Sequence, residues 1–205
     1  MANKHIVVLL IVFSVLSCNT RSTEEKQEEN TTSIDSIKPA AQATVIEEHD
    51  EYLDWRSVRI NAKVPLATTV QNFERILGKA DSVNSINWEV TCSSTFRSED
   101  SKLAYYRGYE FEHFGDSLYF QSVTFGQNKD LFLQSNDIKL NSSTTMEEVK
   151  KLFPNAAKNV SKMDVYKIGE VDAIALPRSK TLSDRHWLLM FQTGKLIRID
   201  DWSPC

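Results

Sequence analysis

The sequence predicts an α+β fold made of two repeats of a helix packed on an antiparallel β-meander, and three observations carry that expectation. A stretch beginning at Lys63 is echoed from Lys139, each copy opens a short amphipathic helix, and each helix is followed by short alternating runs. Thr68 aligns with Thr144 at a period of 76 without a gap, the kind of self-similarity that betrays a repeated unit. In order along the chain, Val58–Val64 reads as a short strand before the first helix. Thr68 and Gln71 form a capping box for that helix, as Thr144 and Glu147 do for the second. Val70, Phe73, Ile76 and Leu77 fall on one helical stripe, matched by Met146, Val149, Leu152 and Phe153. Gly78 and Pro154 stop the two helices. The strands expected after the first helix are Ile86–Thr91, Leu103–His113 and Leu118–Phe125. Ile138–Leu140 precedes the second helix, and Met163–Ile168, Val171–Leu176, Trp187–Phe191 and Leu196–Trp202 follow it. Gly115 and Gly194 sit where hairpin turns would join strands.

The amino terminus has a different character. Ile6–Leu16 is an apolar run broken only by Ser14, too short to span a hydrocarbon core, which needs roughly 20 residues. It reads as the hydrophobic segment of a signal peptide over residues 1–17. Val15-Leu16-Ser17-Cys18 resembles the lipobox of bacterial lipoproteins, which implies cleavage before Cys18 and acylation of its thiol. Asn19, rather than Asp, follows the cysteine, so the resemblance implies a lipid-anchored outer-membrane protein, facing the periplasm or the surface. Residues 18–50 hold eight acids against three bases and no aromatic ring, the composition of a flexible acidic tether. Residues 51–205 hold twenty of each sign, so the folded part is charge-balanced and lacks the basic surface that nucleic acid requires. The domains expected are therefore the tether and two α/β repeats, 51–128 and 129–205.

With Cys18 acylated, Cys92 and Cys205 remain. In an oxidising compartment a disulfide between them is expected, closing a loop worth about 4–5 kcal/mol. Two free thiols, or an intermolecular bond through Cys205, are the alternatives. Asp35-Ser36-Ile37, Asp81-Ser82-Val83 and Asp116-Ser117-Leu118 each resemble the Asp-Ser/Thr-aliphatic acceptor of bacterial O-glycosylation. The Thr-Thr start, the apolar stripe ending at Gly78 or Pro154 and the following meander resemble outer-membrane lipoproteins of the BamE/SmpA kind. They are similar as well to the tandem units of β-lactamase inhibitor protein. That resemblance implies helices on an antiparallel sheet whose exposed face binds another protein.

Catalytic machinery is not legible. His49 lies in an acidic run, and neither His113 nor His186 has a partner at metal-ligand spacing, so no metal or other cofactor is expected. No nucleophile elbow or phosphate-binding loop is present, and six glycines leave no Gly-rich cofactor loop. Tyr105, Tyr109, Tyr119, Phe125, Trp187 and Trp202 all fall on expected strands. Tyr and Trp interspersed with Arg is the composition of interface hot spots, which nominates Tyr105, Arg107, Tyr109, Tyr119 and Trp187 as partner-binding. Alternation alone leaves open whether these rings are core or interface. The reading favoured is a non-enzymatic protein-binding lipoprotein, an assembly factor or an inhibitor. A small-ligand or glycan binder is the alternative, and a hydrolase the third.

Overall fold

A computed structural model describes residues 49–89, 91, 94–126 and 128–204. The signal peptide, Cys18, the tether to Glu48, Cys92 and Cys205 lie outside the described residues, and the proposed disulfide with them. Strand dominates the described chain: β1 (Arg59–Ile60), β2 (Val64–Pro65), β3 (Ala67–Thr69), β4 (Ser82–Ser85), β5 (Lys102–Tyr106), β6 (Tyr109–Phe114), β7 (Ser117–Thr124), β8 (Phe132–Ser135), β9 (Ile138–Asn141), β10 (Ser161–Val165), β11 (Gly169–Pro177), β12 (His186–Gln192) and β13 (Lys195–Trp202). Among the described residues, helix is found in α1 (Val70–Leu77), α2 (Met146–Leu152) and a 3-10 turn at Ala156–Lys158.

This corrects the expected fold class. The chain is β-rich and mostly antiparallel, not two repeats of a helix packed on a meander. The physical reason lies at β13, which bonds β7 through Arg198↔Thr124, Ile199↔Val123 and Asp200↔Ser122. Strands from both halves thereby merge into one nine-stranded sheet, with the order β10-β11-β12-β13-β7-β6-β5-β4 and β3 also paired to β7. A second sheet, β2-β1-β8-β9, is likewise built from both halves. What the period of 76 detected is local. Thr69 caps α1 by accepting from the Asn72 N–H, and Thr145 caps α2 in a full capping box with Glu148, each one residue beyond the expected cap. Val70 donates its N–H to Asp116 and Met146 to Gly194, so each helix start is tied to the turn of a later hairpin.

Two strand expectations also change. The run Leu103–His113 is divided by a tight turn at Arg107-Gly108, where φ is 52° and 107°. Positive φ at both central residues matches the turn to the right-handed twist of β5 and β6. Ile86–Thr91 contributes no described strand; β4 instead occupies Ser82–Ser85.

The main core lies between one face of the nine-stranded sheet and the smaller sheet with its helices. Ile60, Val64, Leu133 and Leu140 of the small sheet, with Phe73 of α1 and Val149 of α2, share a cluster with Phe111, Phe120, Leu189 and Phe191. A chain of rings runs through it: Phe73 to Phe111 at 4.9 Å, Phe111 to Phe120 at 6.0 Å, and Phe120 to Trp187 at 6.1 Å. Leu188 and Met190 alternate with Trp187, Leu189 and Phe191, so they point to the other sheet face. There they join Val171 and Ala173 in a second apolar cluster.

Candidate functional site

The segment that leads into β1 builds one wall of a cleft. Leu53 donates its N–H to Pro177 and Trp55 to Arg178, each at 2.9 Å, which lays the segment along the end of β11. The buried Trp187 indole clamps it from below, donating to the Leu53 carbonyl at 2.7 Å. Asp54 then turns the chain, accepting from the Arg56 N–H at 3.1 Å through its side chain and from Ser57 at 3.0 Å through its carbonyl. This turn, an Asx turn of the kind short acidic side chains favour, presents Trp55 and Arg56 next to the β11–β12 loop.

At the centre is a buried ion cluster on the edge of β7. That edge is divided: β3 pairs with Ser117–Tyr119, and β13 with Ser122–Thr124. Tyr119 stacks on Trp55 with centroids 4.8 Å apart and planes 20° from parallel. Arg178 lies over the Trp55 ring and Arg185 over the Tyr119 ring, each at 5.2 Å. One nitrogen of Arg178 reaches both oxygens of Asp201 at 2.7 Å, and Arg185 reaches one at 3.0 Å. The same Arg178 nitrogen lies 3.3 Å from the Tyr119 hydroxyl. Burial lifts the Asp201 carboxyl above its ordinary value, and the two guanidinium groups draw it only part of the way back. Burial is the largest single influence on Arg178 and works to lower its pKa, but the Asp201 charge and the hydrogen bonds to Asp201 and Tyr119 together outweigh it and leave the group above its ordinary value. A cleft of about 410 Å³ opens beside the cluster, lined by Tyr52, Asp54, Trp55, Arg56, Arg178 and Lys180 among others.

Of the five residues nominated from sequence, Tyr119 alone belongs to this cluster. Trp187 is fully buried and Tyr109 is 2% exposed, so both are corrected from partner-binding to core. The Tyr109 hydroxyl donates to Asn61 at 2.8 Å, and burial pushes its pKa up. Arg107 is exposed in the β5–β6 turn, its backbone N–H held by Asp81. Tyr105 sits on the opposite sheet face beside Glu110, Arg198 and Asp200. There Arg198 donates to Asp200 at 2.6 Å, and burial raises both carboxyls. Phe125 is buried, whereas Trp202 is exposed and stacked on His186 at 5.1 Å. Ser82 and Ser117, in two of the glycosylation-like triplets, begin β4 and β7 and are exposed.

Sequence reasoning missed Trp55, Arg56, Arg178, Arg185 and Asp201. The available signal was the pair of arginines bracketing the polar loop Ser179–Asp184, but nothing local showed that the loop meets residues 52–56. Among the described residues no group of His, Cys, Asp and Glu is arranged to hold a metal ion. Comparison with known proteins finds no family model, no curated protein and no solved structure that matches this chain.

Proposed function

We propose that this chain is an outer-membrane lipoprotein, anchored through Cys18, that binds another envelope or extracellular protein without catalysing a reaction. The observation that carries the reading is the composition of the cleft rim. Tyr52, Trp55, Arg56 and Arg178 stand side by side around a concave surface, and aromatic and arginine anchors at a pocket dominate protein-binding energetics. The buried ion cluster behind them supports rigidity: stacked and hydrogen-bonded, Arg178 and Trp55 lose little freedom on binding. Assembly factor and inhibitor remain the two roles such a module serves. Affinity capture from solubilised envelopes tests the reading, with the full chain as bait. A discrete protein partner, lost when Tyr52→Ala and Arg56→Ala are combined, is the expected result. Capture of no partner, or undiminished capture by the double variant, overturns it.

A small-ligand or glycan binder is the second reading, because the cleft volume of about 410 Å³ falls in the ordinary range for such sites, roughly 300–1,000 Å³. Saturation of the cleft by a saccharide, with no protein partner captured, would favour it.

A further inference from the structure

We propose that β10, an end strand of the nine-stranded sheet, pairs with β10 of a second copy of this chain, antiparallel and about a two-fold axis at Met163. The surface is separate from the cleft, so the inference does not depend on what the cleft binds.

The open edge is the first argument. β10 ends the sheet and pairs with β11 alone, in unbroken register from Ser161↔Ala173 to Val165↔Gly169. It has no proline and no bulge, two of the usual devices that blunt an edge. Alternate residues of an antiparallel strand turn their N–H and C=O groups to the same side, so one set of β10 points away from β11. Among the described residues no group hydrogen-bonds that set. The other end strands are less suited. β2 has two residues, and in β9 the Asn141 N–H and carbonyl are both taken by Thr144. β4, Ser82-Val83-Asn84-Ser85, carries no charge that would select a register.

Self-complementarity is the second argument. Pairing Met163 with its own counterpart sets Lys162 opposite Asp164 of the second copy, Ser161 opposite Val165 and Val160 opposite Tyr166. Each contact is made twice, as two-fold symmetry requires, and either set of outward backbone groups meets itself. Asp164 lacks a base. It sits directly opposite Glu170 in the β10–β11 register, a like-charge pairing that destabilises, and among the described residues no ion pair relieves it. Lys162 of the same chain is held by Glu170 at 3.3 Å and Asp172 at 2.8 Å. An ammonium has three N–H donors, which leaves one for Asp164 of the second copy.

Apolar surface is the third argument. Tyr166 is 86% exposed and Val160 39%, at opposite ends of β10, and the two-fold register lays each against the other. Met163 and Val165 pack on the cluster of Val171, Ala173, Leu188 and Met190, so Met163 at the axis joins the clusters of both copies into one strip.

The test uses the full chain in neutral detergent, with micelles in excess over chains, and reads native mass spectra over a dilution series. A monomer–dimer equilibrium in the micromolar range is expected, with no larger species, because joining two β10 edges uses both. Asp164→Lys and Lys162→Glu should each raise the dissociation constant at least tenfold by setting like charges opposite one another. An equimolar mixture of the two variants should recover the dimer as a heterodimer, since every cross-strand pair is then of opposite charge. Val83→Lys, on the β4 edge, should leave the constant unchanged. If Lys162→Glu fails to fold by circular dichroism, Asp164→Lys is read against Asp164→Asn, which should lie between it and the parent chain. A monomer at every concentration, or a dimer indifferent to the β10 variants, overturns the inference. Loss in both variants without recovery on mixing overturns it too, and loss in Val83→Lys overturns it in favour of the β4 edge.

Discussion

Trp187 shows how a single side chain serves the core and the cleft together. Its ring meets Phe120 in the interior, while its indole N–H holds the Leu53 carbonyl and so places the Trp55 wall. Trp187→Ala should cost about 3–5 kcal/mol, the range for deleting a buried aromatic; urea unfolding measures it, and a loss below 1 kcal/mol would contradict a core role. Gly108 has a sharper constraint. Its φ is +107°, and a Cβ there would lie 2.7 Å from the Thr124 carbonyl oxygen. Gly108→Ala should therefore destabilise by about 1–3 kcal/mol through strain and overpacking, read as a lower unfolding midpoint. Asp200 links residue chemistry to pH. Burial raises its carboxyl above the ordinary value while Arg198 opposes the shift. A carboxyl with a higher pKa folded than unfolded binds more protons in the folded state, so its contribution falls as pH rises from about 4 through the folded pKa. In Asp200→Asn the slope of unfolding free energy against pH should become more positive over that window, and an unchanged slope would contradict the assignment.

Among the elements, the helices were the most legible in sequence, because caps and stripes are local. Thr145 and Glu148 close the capping box on α2, and the Thr145 N–H holds the Glu148 carboxyl below its ordinary value. Thr145→Ala should cost about 1 kcal/mol, measurable by urea denaturation. The one-residue displacement of both caps has a simple origin: consecutive threonines, Thr68-Thr69 and Thr144-Thr145, offer two candidate hydroxyls, and the first of each pair is used elsewhere. The Thr68 hydroxyl accepts from the Asn72 side-chain amide at 2.8 Å, and the Thr144 hydroxyl accepts from the Asn141 N–H. The second-half strands were legible from alternation, since β11, β12 and β13 lie within a few residues of the expected runs. The β5–β6 turn was not, because Arg107 carries a side chain that rarely takes positive φ, and its sequence lacks the Asn-Gly or Asp-Gly signature.

For the whole molecule, sequence pattern could not reveal that the two halves share sheets. Pairing of β7 with β13 and of β1 with β8 joins residues far apart in the chain, and period-2 alternation specifies a face without naming the neighbouring strand. The same limit hid the cleft, whose two walls, residues 52–56 and 178–183, are separated by most of the folded chain. It also left Tyr109 and Trp187 looking like interface residues, since alternation marks two faces alike and the packing of the second sheet decides which is inside. The measurement that tests the account most directly is photo-crosslinking in intact envelopes, with a benzophenone-bearing residue at Tyr52 on the cleft or at Tyr166, which is 86% exposed beyond the other end of β11. A discrete adduct with a different protein from position 52 and none from position 166 is the result the account predicts. No such adduct from position 52, or the same adducts from both positions, would contradict it.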